Sequence, residues 1–193
     1  PMKEYKDFAA QEWVYLYAVF LTLKKQNHLR CWNEWSLEQK EWIKDKKYDI
    51  SVYSNEINYE MFVQYQFYKQ WMKLKGYANN HGIKIMGDIP FYVGIDSLDV
   101  WMNQKCFLLD SDGRPVFIAG VPPDYFSETG QRWGNPIYDW EYLKETNYSF
   151  WIDRIAYNSK LFNYIRIDHF RAFDTYWMIP AACDTAVEGN WAE

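Results

Sequence analysis

Apolar side chains recur at helical spacing in three stretches of the chain. Between residues 3 and 26, Phe8, Trp13, Leu16, Tyr17, Phe20 and Leu23 fall on steps that predict a helix with one buried face. A second pattern runs from about Ile57 to Asn80 through Met61, Tyr65, Tyr68, Trp71, Met72 and Leu74. Asn79, Asn80 and Gly82 supply its stop signal. The third covers residues 148–162, with Phe150, Trp151, Ile155 and Phe162. Between the first two lies a loop with His28, Trp32 and Trp35, and then a short helix, E-W-I-K-D-K-K. That helix is entered through a capping box, S-L-E-Q, beginning at Ser36.

The period changes to two in two places. In I-K-I-M-G-D-I-P, Ile83 and Ile85 alternate and the run ends at Gly87 and Asp88. In N-Y-I-R-I-D-H-F-R-A-F, Ile165 and Ile167 alternate with Arg166 and Asp168. Both read as short strands that follow a helix and finish on a carboxylate. Residues 90–147, between them, carry little periodicity. Within that excursion S-D-G-R-P is a turn signature, expected to join Lys105–Leu109 and Pro115–Ala119 as a small hairpin. The layout is α–β–long loop–α–β, and no internal repeat interrupts it. Parallel strands joined by helices need a covered sheet or a closed barrel. In a (β/α)8 barrel the reacting residues come from the C-terminal ends of several strands, which is where Asp88 and Asp168 are expected.

Composition narrows the partners. The chain has 193 residues, enough for one domain with a sizeable core, and a formal net charge of -5 from 21 Lys and Arg against 26 Asp and Glu. Nucleic acids and anionic membranes select for basic patches, so neither is expected as a partner. No apolar run approaches the ~20 residues that cross a bilayer. The segment W-V-Y-L-Y-A-V-F-L is followed by K-K-Q-N and by no small-residue cleavage site, so it reads as a helix face and not as a signal peptide. Three cysteines, Cys31, Cys106 and Cys183, stand far apart without C-x-x-C spacing, which fits the cytoplasm and neither a zinc site nor a disulfide framework.

Aromatic residues make up 21% of the chain, with 11 Trp and 17 Tyr. Most serve a bulky core. Others sit among polar residues in Gly- and Pro-containing loops, as in R-W-G-N-P and P-D-Y-F. Rings beside hydrogen-bonding groups suit sugars, whose C–H faces stack while their hydroxyls meet carboxylates and amides.

Alternation puts Arg166 and Asp168 on one strand face, roughly 6.5–7 Å apart. One reading is a structural ion pair that ties the strand to a neighbour. The other is catalytic. A carboxylate nucleophile must stay ionised in a partly dry pocket, and a fixed cation favours its charged form. Arginine suits that task because it does not lose its proton. Such an aspartate could attack an anomeric carbon and form a glycosyl intermediate, with a protonated second carboxyl ~5–5.5 Å away for retention of configuration.

Four stretches then carry a resemblance. They are W-M-K-L-K-G-Y-A-N-N-H-G-I-K-I-M-G-D-I-P-F-Y-V from Trp71, D-S-L-D-V-W from Asp96, A-G-V-P-P-D-Y-F-S-E-T-G-Q-R-W-G-N-P-I-Y-D-W from Ala119, and I-R-I-D-H-F-R-A-F-D-T-Y-W-M-I-P-A from Ile165. Together they resemble the 4-α-glucanotransferases, or amylomaltases, of glycoside hydrolase family 77. The resemblance implies an α/β chain, residues 1–193 being the central part of a (β/α)8 TIM-barrel catalytic domain with 90–147 as a loop region over the cleft. It implies Asp168 as nucleophile, Arg166 as its supporting cation and Asp88 as a ligand of donor-glucose hydroxyls. Tyr125, Phe126, Gln131 and Trp133 fall in the loop that covers the acceptor side in the family. His169 matches too, either touching substrate, if the strand ends there, or hydrogen bonding behind it.

The implied substrates are maltooligosaccharides, amylose or glycogen-derived α-1,4-glucans, with glucose as an acceptor. Two carboxyls suffice for that chemistry, so no metal, nucleotide or organic cofactor is implied. Ala172 replaces a glycine common in the family. The family's general-acid glutamate and its third carboxylate match nothing here: Glu188 and Glu193 fit no catalytic motif, and Glu128 sits in a loop away from both strands. The 193 residues alone are therefore expected to lack activity, and unpaired strand edges are expected to favour self-association. An α-glucan hydrolase and a non-catalytic glucan-binding chain remain the alternatives.

Overall fold

The computed structural model describes residues 2–193, which fall into two compact units, one up to Ile85 and the other Met86–Glu193. The first is helical. Its elements are α1 (Met2–Ala9), α2 (Glu12–Gln26), α3 (Leu37–Asp45) and α4 (Ser54–Asn80). The single helix expected over residues 3–26 is thus two. Gln11 is extended, with φ −72° and ψ 125°, and its side-chain amide donates to the Phe8 carbonyl at 3.1 Å. Periodicity could not show this break because apolar contact continues across it: the Phe8 and Trp13 rings meet edge-on at 5.8 Å.

Val14, Leu16, Ala18, Val19 and Leu23 of α2 are buried, as are Ile57, Met61 and Tyr65 of α4, the helix α2 packs along. An ion pair between Lys25 and the buried Glu60 joins the two helices. The cap of α3 forms by half. The Ser36 hydroxyl accepts from the Gln39 amide at 3.4 Å, but the Gln39 side chain does not return to Ser36. It accepts from Asn27 at 2.9 Å and donates to the Tyr48 hydroxyl at 3.3 Å, so tertiary partners displace the local bond.

The second unit holds two sheets. β1 (Met86–Ile89) runs parallel to β4 (Tyr164–Ile167), with Asp88 opposite Arg166. Between them come α5 (Leu98–Met102), β2 (Phe117–Val121), β3 (Gln131–Pro136), α6 (Trp140–Glu145) and α7 (Ser149–Leu161). β5 (Tyr176–Pro180) and β6 (Asn190–Ala192) follow β4. The second sheet has the order β3-β2-β5-β6 and is antiparallel throughout.

Two expectations are corrected. The strand anticipated from Ile83 and Ile85 begins three residues later, at Met86, and Asp88 lies inside it. Gly82, at φ +76°, turns the chain out of α4, and Ile83 is still bonded to the Ala78 carbonyl at 2.9 Å, so it belongs to the helix exit. The hairpin around S-D-G-R-P is reduced to its turn and a bridge between Leu109 and Pro115. The Asp110 carboxylate holds that turn by accepting from the Asp112 and Arg114 amides, both at 2.9 Å. Lys105 lies in a short 3-10 turn, and Phe117–Val121 pairs with β3 and β5 instead of folding back.

α7 leads directly into β4 and packs against both β1 and β4. Close approach is possible because residue 87 is glycine: a Cβ there would lie 2.2 Å from the Phe162 ring. The β1–β4 pair therefore rests on α7 with Gly87 and Ile89 inward and Met86 and Asp88 outward.

Candidate active site

Parallel pairing aligns the outward side chains of β1 and β4 in one row. Arg166 stands in the middle. Its Nε donates to Asp88 Oδ1 at 2.9 Å and its Nη2 donates to Asp168 Oδ1 at 2.8 Å. All three side chains are more than half exposed. The two carboxylates, hydrogen bonding to Asp88 first, hold the Arg166 guanidinium above its usual range, so it is a fixed cation. The ion pair to a neighbouring strand expected as one alternative is present, and Arg166 is paired with Asp168 as well.

The end of β4 sets the next residues. The Asp168 amide donates to the Ile89 carbonyl at 2.9 Å, extending the pairing one step past the strand. His169 then takes a left-handed conformation, φ +53°, and a 3-10 turn follows over Phe170–Phe173. The strand has thus ended before His169, and its ring does not follow the alternation of β4. The His169 ring meets Trp133 edge-on at 5.0 Å and lies 6.2 Å from Tyr92 and 6.4 Å from Phe91. Nε2 of His169 is buried without a hydrogen-bond partner. Burial lowers the His169 pKa and Arg171 lowers it further, against an upward pull from Asp168.

Trp133, on β3, is 39% exposed, and its indole donates to Gln131 Oε1 at 3.1 Å. Trp133, Gln131 and His169 therefore form one linked group. Tyr125 and Phe126 do not join it. They are 97% and 91% exposed on the loop between β2 and β3, and among the described residues their rings meet only each other, edge-on at 5.6 Å. The loop is shaped by Asp124, whose carboxylate accepts from the Phe126 and Ser127 amides at 2.8 and 2.9 Å.

Four residues of this region were not singled out from the sequence. Phe91 is 2% exposed and packs against Trp151 at 5.1 Å and Phe173 at 4.8 Å. Tyr92 stacks on Tyr138 at 6.0 Å, and burial raises both phenols. Arg154 donates to the Pro90 and Phe91 carbonyls at 2.6 and 3.2 Å. The one available signal was I-P-F-Y directly after Asp88, a proline that forbids the strand's next N–H.

The fold is mixed α/β, and its site is a carboxylate–guanidinium–carboxylate row at strand ends, flanked by rings. A family model described as 4-alpha-glucanotransferase, of glycoside hydrolase family 77, matches residues 1–193. A 4-alpha-glucanotransferase of Thermus thermophilus is 47% identical over 182 residues, covering 94% of this chain and 36% of its own length. A chloroplastic/amyloplastic 4-alpha-glucanotransferase of Solanum tuberosum is 39% identical, covering 96% of this chain and 32% of its own. The solved amylomaltase of Streptococcus agalactiae in complex with acarbose superposes with a TM-score of 0.91 at 43% identity, over 99% of this chain and 39% of that one. The chain belongs to glycoside hydrolase family 77. It spans about a third to two-fifths of the length of these relatives. Among its described residues no helix is long and apolar enough to cross a membrane.

Proposed function

We propose that these residues supply the nucleophile and donor-side half of a 4-α-glucanotransferase. The observation that carries this is the Arg166 guanidinium held between Asp88 and Asp168 at 2.9 and 2.8 Å. An Asp168 carboxylate oxygen attacks C1 of a glucose unit in an α-1,4-glucan, the bond from C1 to the leaving 4-oxygen breaks, and that oxygen takes a proton from a general acid. The 4-hydroxyl of a maltooligosaccharide or glucose then gives its proton to the same residue, attacks C1 and releases Asp168. Asp88 accepts hydrogen bonds from hydroxyls of the donor glucose, and Arg166 offsets part of the charge of the two carboxylates. His169 and Trp133 border the reacting unit, with Tyr125 and Phe126 offering ring faces on the acceptor side.

Within this reading residues 1–193 are part of a (β/α)8 catalytic domain, with 90–147 over the cleft. Parallel pairing of β1 with β4 and the helix preceding β4 support it. Acceptors and donors are amylose and glycogen-derived glucans and their oligomers. Three widely separated free cysteines support the cytoplasm, although two relatives carry plastid names. The general acid is not among these residues. Glu188, for one, accepts a hydrogen bond from the neighbouring Thr185 at 2.8 Å and lies in a turn.

The test uses maltotriose. The chain alone yields no product. When it replaces the matching segment of the Thermus thermophilus relative, glucose and longer oligomers form, and Asp168→Asn removes both while the folded signature stays. Only shorter sugars from the chimera would show hydrolysis instead. Turnover that survives Asp168→Asn would sink the assignment.

A further inference from the structure

Three successive carbonyls leave β1, and each is taken by a group from elsewhere in the second unit. Ile89 O accepts the Asp168 amide at 2.9 Å. Pro90 O accepts Nη2 of Arg154 at 2.6 Å. Phe91 O accepts Nη1 of Arg154 at 3.2 Å and the buried Tyr138 hydroxyl at 2.7 Å. A strand that ends normally leaves such carbonyls to water. Here they are collected by a fork whose geometry matches two adjacent acceptors.

Arg154 is itself placed by its helix. It lies on α7, three residues after the buried Trp151, and its guanidinium sits over that indole at 5.1 Å. Since α7 leads into β4, Arg154 joins the exit of the strand that carries Asp88 to the element that delivers Arg166 and Asp168. The Phe91 side chain makes the same connection by packing, with Trp151 on one side and Phe173, beyond Asp168, on the other. Pro90 has no N–H to lock this segment by strand pairing, so its position depends on bonds made to its carbonyl.

We propose that Arg154, seconded by Tyr138, is a positioning residue that fixes Asp88 against Arg166 and Asp168 by clamping the Pro90–Phe91 carbonyls. It touches neither carboxylate. That these carboxylates do chemistry rests on the function proposed above; that Arg154 sets their spacing does not. Catalysis is sensitive to such spacing, a misplacement of about 1 Å costing on the order of a hundredfold in rate.

The experiment is therefore made on the chain without turnover. Wild type, Arg154→Lys and Tyr138→Phe are compared by ¹H–¹⁵N NMR, reading the Arg166 Nε–H resonance and the exchange rate of the Asp168 amide, with thermal unfolding in parallel. In Arg154→Lys the Arg166 Nε–H resonance moves toward that of an unpaired guanidinium. The Asp168 amide exchanges about tenfold faster, the equivalent of one hydrogen bond, while amides in α4 keep their rates. Tyr138→Phe, which removes only one hydroxyl, shifts both readouts in the same direction by less. It stands in for Arg154→Lys if that variant does not fold. A lowered unfolding temperature with both readouts unchanged would make Arg154 a purely structural residue and overturn the proposal. A chimera with the unmutated segment that never turns over maltotriose, with these shifts still present in the variants, would count against the proposed function and leave the clamp standing.

Discussion

At the scale of single residues the site is organised by one arginine. Arg166 donates through two different nitrogens to two carboxylates, which a lysine could not reproduce as a compact point charge. In the chimera, Arg166→Lys is expected to lower maltotriose turnover on the order of tenfold or more, the scale of a charge-assisted hydrogen bond. Steady-state rates check this, and an unchanged rate would remove Arg166 from the chemistry. His169 offers a test by pH. Its folded pKa is lowered, mainly by burial, so between that value and the ordinary 6.5 the unfolded chain binds a proton that the folded chain does not. Stability is therefore full above about pH 6.5 and falls as pH drops below it toward the folded pKa. Urea unfolding at pH 7.5 and 5.5 should show a loss for wild type that His169→Gln lacks. Arg166 and Asp168 were legible as a pair because strand alternation alone places them together, and Asp88 was legible only as a carboxylate near a strand end. Trp133 beside His169 was not, since their approach depends on a left-handed turn that no spacing rule anticipates.

At the scale of elements, the helices were legible wherever apolar spacing continued and illegible where it was interrupted without a change of face. α4 and α7 lie within a few residues of the expected ranges, whereas the break at Gln11 passed unseen. Strands were read less well. β1 was displaced because Ile83 and Ile85 alternate in the helix exit, while the paired residues, M-G-D-I, show weaker alternation. β5 left no local signal, for its partner β2 lies over fifty residues earlier in the chain, and β6 is a strand only by pairing with β5. Two substitutions test the local accounts. Gly87→Ala puts a methyl group into the Phe162 ring and should destabilise by about 1–3 kcal/mol in chemical denaturation, as overpacking does. Ser36→Ala should cost only about 0.5 kcal/mol, the low end for a cap, because its bond to Gln39 is long at 3.4 Å.

At the scale of the whole molecule, what stands out is unpartnered surface. The β1–β4 sheet has two strands, each with an outer edge that no other described strand covers. On α4, Tyr59, Phe67, Leu74 and Tyr77 are exposed. Exposed edges and apolar faces invite association. Sedimentation velocity over a range of concentrations is expected to show the chain self-associating, and a monodisperse monomer throughout would refute this.

The sequence by itself determined the family, the helical faces and the pairing of Arg166 with Asp168, because each is written in residues close together along the chain. Period-two alternation needs only neighbours, and so does a run such as G-V-P-P-D-Y-F-S-E-T-G-Q-R-W-G-N-P. Tertiary structure alone decided that Asp88 meets Arg166, since residues 78 apart become partners only through parallel register. It alone decided that Arg154 and Tyr138 secure the exit of β1, because an arginine on a helix carries no mark of which carbonyls it will find. Side-chain patterns fix which face is buried, whereas long-range hydrogen bonds fix where that face comes to rest.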